Sequence, residues 1–185
     1  METTYRVLIV EDIPTDAELN EREIKQVLTP CIFERVETKE AFLKALDEFK
    51  PDLIISDYMM PSFDGMTALK LTLKRTPLTP FIIVTGSMNE DTAVDCMKAG
   101  ASNYVIKQHM KRLGPAVLHA LEEKKIRIEK LKAEEEIKKR VKELEDFYDM
   151  AVGRELRMKE LKEQMEEMKE EMEKLKKELE KYKKP

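Results

Sequence analysis

Five side chains of this sequence could carry out chemistry together. Each stands at or just after the end of a short β-branched run: the carboxylates of Glu11, Asp12 and Asp57, the hydroxyl of Thr85 and the ammonium group of Lys107. Carboxylates pressed together repel one another, and a bound cation relieves that repulsion. Oxygen ligands favour Mg²⁺ over zinc, which prefers His or Cys. A metal held by few carboxylates keeps open positions for phosphoryl oxygens, and the Lys107 ammonium and the Thr85 hydroxyl could contact the other phosphoryl oxygens. The five side chains therefore suit phosphoryl transfer onto a carboxylate.

The elements that must position these side chains follow from the alternation of short apolar runs with amphipathic stretches. The runs lack polar alternation, as expected of parallel strands that are covered on both faces. In a doubly wound parallel sheet, the residues that end the strands meet at one edge, near the switch in strand order. The sequence therefore predicts an α/β fold with a doubly wound five-stranded parallel sheet, whose strands are Tyr5–Val10, Ile32–Val36, Asp52–Ser56, Phe81–Thr85 and Asn103–Ile106.

Each of the five side chains also has a purely structural interpretation. Asp12 precedes Ile13-Pro14 and could cap the first helix. A single lysine such as Lys107 is most often solvated, and a threonine fits any strand. Taken one at a time, these residues leave the two interpretations open, and only their combination favours a functional site.

A longer motif surrounds Asp57. The segment from Asp57 to Met66 reads Asp-Tyr-Met-Met-Pro-Ser-Phe-Asp-Gly-Met, and Ala-Gly-Ala precedes the last strand at residues 99–101. Together with the acidic pair, Thr85 and Lys107, these features resemble the receiver domains of bacterial two-component response regulators, in particular chemotaxis receivers. The resemblance covers about residues 5–125 and implies a flavodoxin-like receiver fold.

The resemblance also implies roles for individual residues. Asp57 would accept a phosphoryl group from a histidine kinase or a phosphotransfer protein, and Lys107 would pair with that group. Asp12, Asp57 and the backbone carbonyl of Met59 would bind Mg²⁺, with Glu11 acting through water.

A switch is implied as well. Thr85 would move toward the phosphoryl oxygens, and Tyr104 would turn inward into the vacated space. The surface formed by the fourth helix, the fifth strand and the fifth helix would then change, and this surface is the family's output face.

The composition changes abruptly after Gly114-Pro115 to Lys, Glu, Leu and Met, which predicts one very long helix or two. From Met158 to Tyr182 the apolar residues follow a strict 3-4 spacing, which is the pattern of a coiled-coil seam. Upstream of Gly153 a similar spacing runs in another phase. We therefore expect a receiver domain in residues 1–125 and a helical coiled-coil extension in residues 126–185.

The charges beside the seam favour a parallel homodimer. In a parallel pair, Glu171 of one chain faces Lys176 of the other, and Glu178 faces Lys183. An antiparallel pair would instead bring like charges together, which costs free energy.

Composition limits the other functions. The formal net charge is −4, and the tail lacks the basic stripe or second core of a DNA-binding output. The longest apolar runs are far shorter than the roughly 20 residues that span a bilayer. We therefore expect a cytoplasmic protein without nucleic-acid or membrane partners and without enzymatic activity beyond its own Mg²⁺-dependent phosphorylation and dephosphorylation. The alternative to a regulator with an output is a phosphate sink or adaptor that the coil tethers to a kinase.

Overall fold

The computed structural model describes residues 4–86 and 90–182. The chain alternates strands and helices, as the sequence predicts. The strands are β1 Tyr5–Val10, β2 Cys31–Val36, β3 Leu53–Asp57, β4 Phe81–Thr85 and β5 Asn103–Ile106. The helices are α1 Pro14–Lys25, α2 Lys39–Glu48, α3 Gly65–Arg75, α4 Glu90–Lys98 and α5 Leu113–Tyr182, with a short 3-10 helix over Lys107–Arg112.

The five strands form one parallel sheet in the order β2-β1-β3-β4-β5. From β1 the chain moves first outward to β2 and then to β3 on the other side, so the strand order reverses between β1 and β3. Ligands of open parallel sheets bind outside the carboxyl ends of the strands at such a point. The predicted flavodoxin-like receiver fold is confirmed.

Two apolar layers hold helices against the two faces of the sheet. Side chains alternate along β1, so that Val7 and Ile9 enter one layer and Leu8 and Val10 enter the other. Fully burying one such side chain contributes about 1.5–3 kcal/mol. All residues of β3 and β4 are buried, which fixes the height at which Asp57 and Thr85 emerge from the sheet.

The third strand begins and ends one residue later than the sequence predicts. Asp52 precedes the strand, where its backbone N–H donates to the carbonyl of Arg6 at 2.7 Å and its carboxylate accepts from the backbone N–H of Arg6 at 3.0 Å. Asp57 is the last strand residue. The second strand also differs, since it starts at Cys31 and not at Ile32.

A single helix of 70 residues, α5, follows the 3-10 helix. The chain divides into two compact units, the first ending at Leu131 and the second beginning at Lys132. Within the first unit α5 buries Leu113 and Val117 against the sheet. The described helices include none that is both long and apolar enough for a membrane span.

Candidate functional site

The sheet brings four of the predicted side chains to one edge. Asp57 and Thr85 are the last residues of β3 and β4, Glu11 comes directly after β1, and Lys107 comes directly after β5. Asp57 and Thr85 are almost completely buried, and Glu11 is 0% exposed. The site therefore lies where the strand order reverses.

The ammonium group of Lys107 lies at the centre of this edge. It donates hydrogen bonds to Asp57 Oδ2 at 2.6 Å, to Asp16 Oδ2 at 2.5 Å and to Glu11 Oε2 at 3.1 Å. Burial by itself lowers the pKa of Lys107, but the three carboxylates outweigh burial and raise this pKa above its usual value. Lys107 is thus held as a cation beside Asp57.

Glu11 has the opposite balance. Burial raises the pKa of its carboxyl, and the hydrogen bonds from Lys107 and from the backbone N–H of Ile13 offset that effect only in part. A buried carboxylate with a high free-energy cost of ionisation is typical of a functional site, where a second cation can offset that cost.

The backbone around Asp57 is tightly organised. Asp57 Oδ1 accepts a hydrogen bond from the N–H of Met59 at 3.1 Å. Asp64 caps α3 by accepting the N–H of Thr67 at 2.8 Å, and the N–H of Gly65 donates to the carbonyl of Tyr58 at 3.0 Å. The motif after Asp57 therefore fixes the loop that carries the carboxylate.

The remaining predicted residues lie around this centre. Asp12 is half-buried between β1 and α1, and it does not cap α1, because the N-cap residue is Ile13. The guanidinium group of Arg35 donates to the backbone carbonyls of Glu11 at 2.9 Å and of Asp12 at 3.4 Å, which holds the acidic loop against β2. Tyr104 of β5 is 40% exposed, so its ring lies at the surface.

The donor set matches the ligand preference of a hard cation, since it consists of oxygens only. Within residues 4–86 and 90–182, no three His, Cys, Asp or Glu side chains are gathered so that they could hold a metal by themselves. The Lys107 ammonium lies among the carboxylates and supplies the positive charge there. A divalent cation at this edge would share the Asp57 carboxylate with Lys107.

Comparison with known families identifies the family of this domain. A family model described as the response regulator receiver domain matches residues 7–118. The chain belongs to the response regulator receiver domain family. Residues 7–118 therefore form a receiver domain of the kind found in two-component response regulators.

Individual relatives show how far the likeness reaches. The chemotaxis protein CheY of Bacillus subtilis is 35% identical over 107 residues, which cover 56% of this chain and 85% of CheY. The DNA-binding transcriptional regulator NtrC of Proteus hauseri is 40% identical over 65 residues, which cover 35% of this chain but only 14% of NtrC. The signal receiver domain of a Vibrio parahaemolyticus repressor protein superposes with a TM-score of 0.61 at 29% identity, covering 68% of this chain and 95% of that domain.

Two residues of the receiver site were missed from the sequence. Asp16 lies in the first turn of α1 and contacts Lys107, and Arg35 lies on β2 and contacts the acidic loop. The start of α1 at Pro14 directly after the acidic pair could have pointed to Asp16. The sequence carries no comparable signal for Arg35, because its role depends on the pairing of β2 with β1.

Proposed function

We propose that Asp57 is the phosphoacceptor of this receiver domain. The observation that carries the proposal is the 2.6 Å contact between Lys107 Nζ and Asp57 Oδ2 at the carboxyl edge of the sheet. A carboxylate oxygen of Asp57 forms a bond to phosphorus, and the bond from phosphorus to the donor's leaving group breaks. The ammonium group of Lys107 lies where it can neutralise charge on the phosphoryl oxygens as they arrive.

The same site is proposed to hold Mg²⁺. Asp12, Asp57 and the backbone carbonyl of Met59 would bind the ion, with Glu11 acting through water. When bound, the cation neutralises charge on the phosphoryl group and on the carboxylates. Burial of Glu11 supports the proposal, because this carboxylate has an ionisation cost that a cation offsets.

The switch is proposed to run through β4 and β5. Thr85, which is buried at the end of β4, would contact the phosphoryl group. Tyr104 lies in the neighbouring strand, where Ile83 is its pairing partner. The ring of Tyr104 is at the surface in this structure, so it can still turn inward when Thr85 moves.

A sensor histidine kinase or a phosphotransfer protein is the proposed donor. The match covers only 14% of NtrC and 29% of the Archaeoglobus fulgidus protein-glutamate methylesterase. The activities of those whole proteins are therefore not assigned to this chain. We propose a regulator that signals through its receiver face and its coiled coil. A phosphate sink or adaptor tethered to a kinase by the coiled coil is the second candidate, and the helical structure of residues 132–182 is compatible with such a tether.

The helical extension, residues 126–185, is proposed to form a parallel homodimer. Its seam residues Met158, Leu161, Met165, Met168, Met172 and Leu175 are each at least half exposed in the single chain. A stripe of that length requires a partner, and a second copy supplies the Glu171–Lys176 attraction. The residues after Tyr182, including Lys183, lie outside the described part of the chain.

Labelling with acetyl phosphate tests the phosphoacceptor. The protein is expected to take up one acid-labile phosphoryl group only when Mg²⁺ is present, and Asp57→Ala is expected to take up none. Asp52→Ala, which changes a carboxylate at the opposite end of β3, serves as the control and should label normally. Undiminished labelling of Asp57→Ala would refute the assignment.

A further inference from the structure

Asp16 has a place in the site that the receiver chemistry described above does not use. It is the third residue of α1, its N–H donates to the carbonyl of Ile13, and the next residue, Ala17, is buried in the core. Its backbone is therefore fixed. Its side chain is 31% exposed, and its Oδ2 lies 2.5 Å from the ammonium group of Lys107.

The three carboxylates around Lys107 differ in what else they must do. Asp57 is the proposed phosphoacceptor, and both Asp57 and Glu11 belong to the proposed cation site. Asp16 belongs to neither. When a divalent cation enters before any phosphoryl group is transferred, Asp57 and Glu11 gain a new positive partner, and only Asp16 keeps its whole carboxylate for the ammonium group.

Electrostatics favours this third contact. A divalent cation close to Glu11 and Asp57 repels the Lys107 ammonium, and at short range inside a partly buried site that repulsion is strong. An ammonium group has three protons to donate, and here all three are directed at carboxylates. An acceptor outside the cation site is what allows both positive charges to remain.

We propose that Asp16 is a positioning residue, which retains the Lys107 ammonium beside Asp57 while a cation and a phosphodonor occupy the site. The rate part of this proposal rests on the proposed function of Asp57, whereas the position of Lys107 does not. The two can therefore fail separately.

The direct test observes the Lys107 ammonium group by ¹H–¹⁵N NMR of lysine side chains, with Lys107→Arg used to assign its signal. In the unaltered protein the hydrogen-bonded ammonium should give a signal both without and with saturating MgCl₂. In Asp16→Asn the signal should be present without Mg²⁺, because Asp57 and Glu11 remain, and should disappear when Mg²⁺ is added. Survival of the signal in Asp16→Asn with Mg²⁺ would overturn the proposal.

The second readout is the rate of labelling by acetyl phosphate. At saturating Mg²⁺, Asp16→Asn should lower the saturating rate by on the order of tenfold while changing the half-saturating acetyl phosphate concentration little, since the loss is one of orientation. Asp16→Glu should recover most of the rate. Glu18→Gln removes the same charge from an exposed position of α1 and should leave rate and signal unchanged.

These variants separate position from charge. If Glu18→Gln lowers the rate as much as Asp16→Asn, the effect is one of helix charge and the proposal is wrong. If no variant and not even the unaltered protein is labelled, the proposed function of Asp57 fails, while the NMR experiment still decides whether Asp16 holds Lys107.

Discussion

Gly65 lies against the backbone of Asp57: a Cβ added to Gly65 would stand 2.5 Å from the carbonyl oxygen of Asp57 and 2.9 Å from Cα of Tyr58. Both neighbours are backbone atoms, which cannot rotate away. The first residue of α3 must therefore be glycine for the helix to begin this close to the phosphoacceptor strand.

Gly65→Ala is expected to destabilise the receiver domain by about 1–3 kcal/mol, because overpacking must displace backbone. It should also slow labelling at Asp57, whose carbonyl has to move. Urea unfolding measures the first effect and acetyl phosphate labelling the second. Gly86→Ala is the matched control, since an added Cβ there meets nothing within 4 Å. Equal stability of the two variants would contradict this close approach.

Stability should depend on pH through Glu11. Burial raises the pKa of this carboxyl above its usual 4.5, so the folded protein binds its proton more readily than the unfolded chain does. Lowering the pH from neutral through the raised pKa toward 4.5 therefore adds stability, and raising the pH removes it again.

Glu11→Gln should consequently raise Tm at pH 7 in the absence of Mg²⁺, since the amide needs no ionisation and still offers Lys107 an oxygen. The advantage should shrink as the pH falls toward 4.5. Thermal unfolding across this range measures the difference, with Glu18→Gln as an exposed control. A variant that is less stable than the unaltered protein at pH 7 would show that the Lys107 contact outweighs burial.

Lys107→Ala and Thr85→Ala are expected to uncouple phosphorylation from the switch. Each side chain would contact the phosphoryl group once that group is present, so its loss removes the pull on β4 and β5. NMR of the Tyr104 ring before and after phosphorylation measures the coupling. Lys74→Ala, an exposed lysine of α3, should behave like the unaltered protein. Normal Tyr104 shifts in both altered proteins would contradict this mechanism.

The coiled coil should be parallel and in register. Leu175→Cys, in a background with Cys31→Ser and Cys96→Ala, should cross-link efficiently to its own copy. Glu170→Cys, on the outer face of the same helix, should cross-link slowly. The parallel orientation of the two helices follows from charge pairs that contribute only roughly 0.2–1 kcal/mol each. The apolar seam must therefore supply most of the dimer's affinity. A monomer by light scattering at micromolar concentration would refute the homodimer.

Much of the fold could be predicted because each strand carries a local signal. The apolar runs and the residues that end them are visible in one dimension, and the parallel topology gathers those ends. The sequence carries no local signal for the one-residue shift of β3, at whose start Asp52 bonds to the backbone of Arg6, a residue distant in sequence. Asp16 was missed for a related reason, since its contact with Lys107 joins residues 91 positions apart and depends on how α1 packs.

The most direct measurement for the whole account is the chemical location of the phosphoryl group. After labelling with acetyl phosphate and Mg²⁺, borohydride converts an aspartyl phosphate to homoserine, and peptide mass spectrometry locates the altered residue. Homoserine is expected at Asp57 alone. Modification at Glu11, Asp12 or Asp16 with Asp57 unaltered would contradict it.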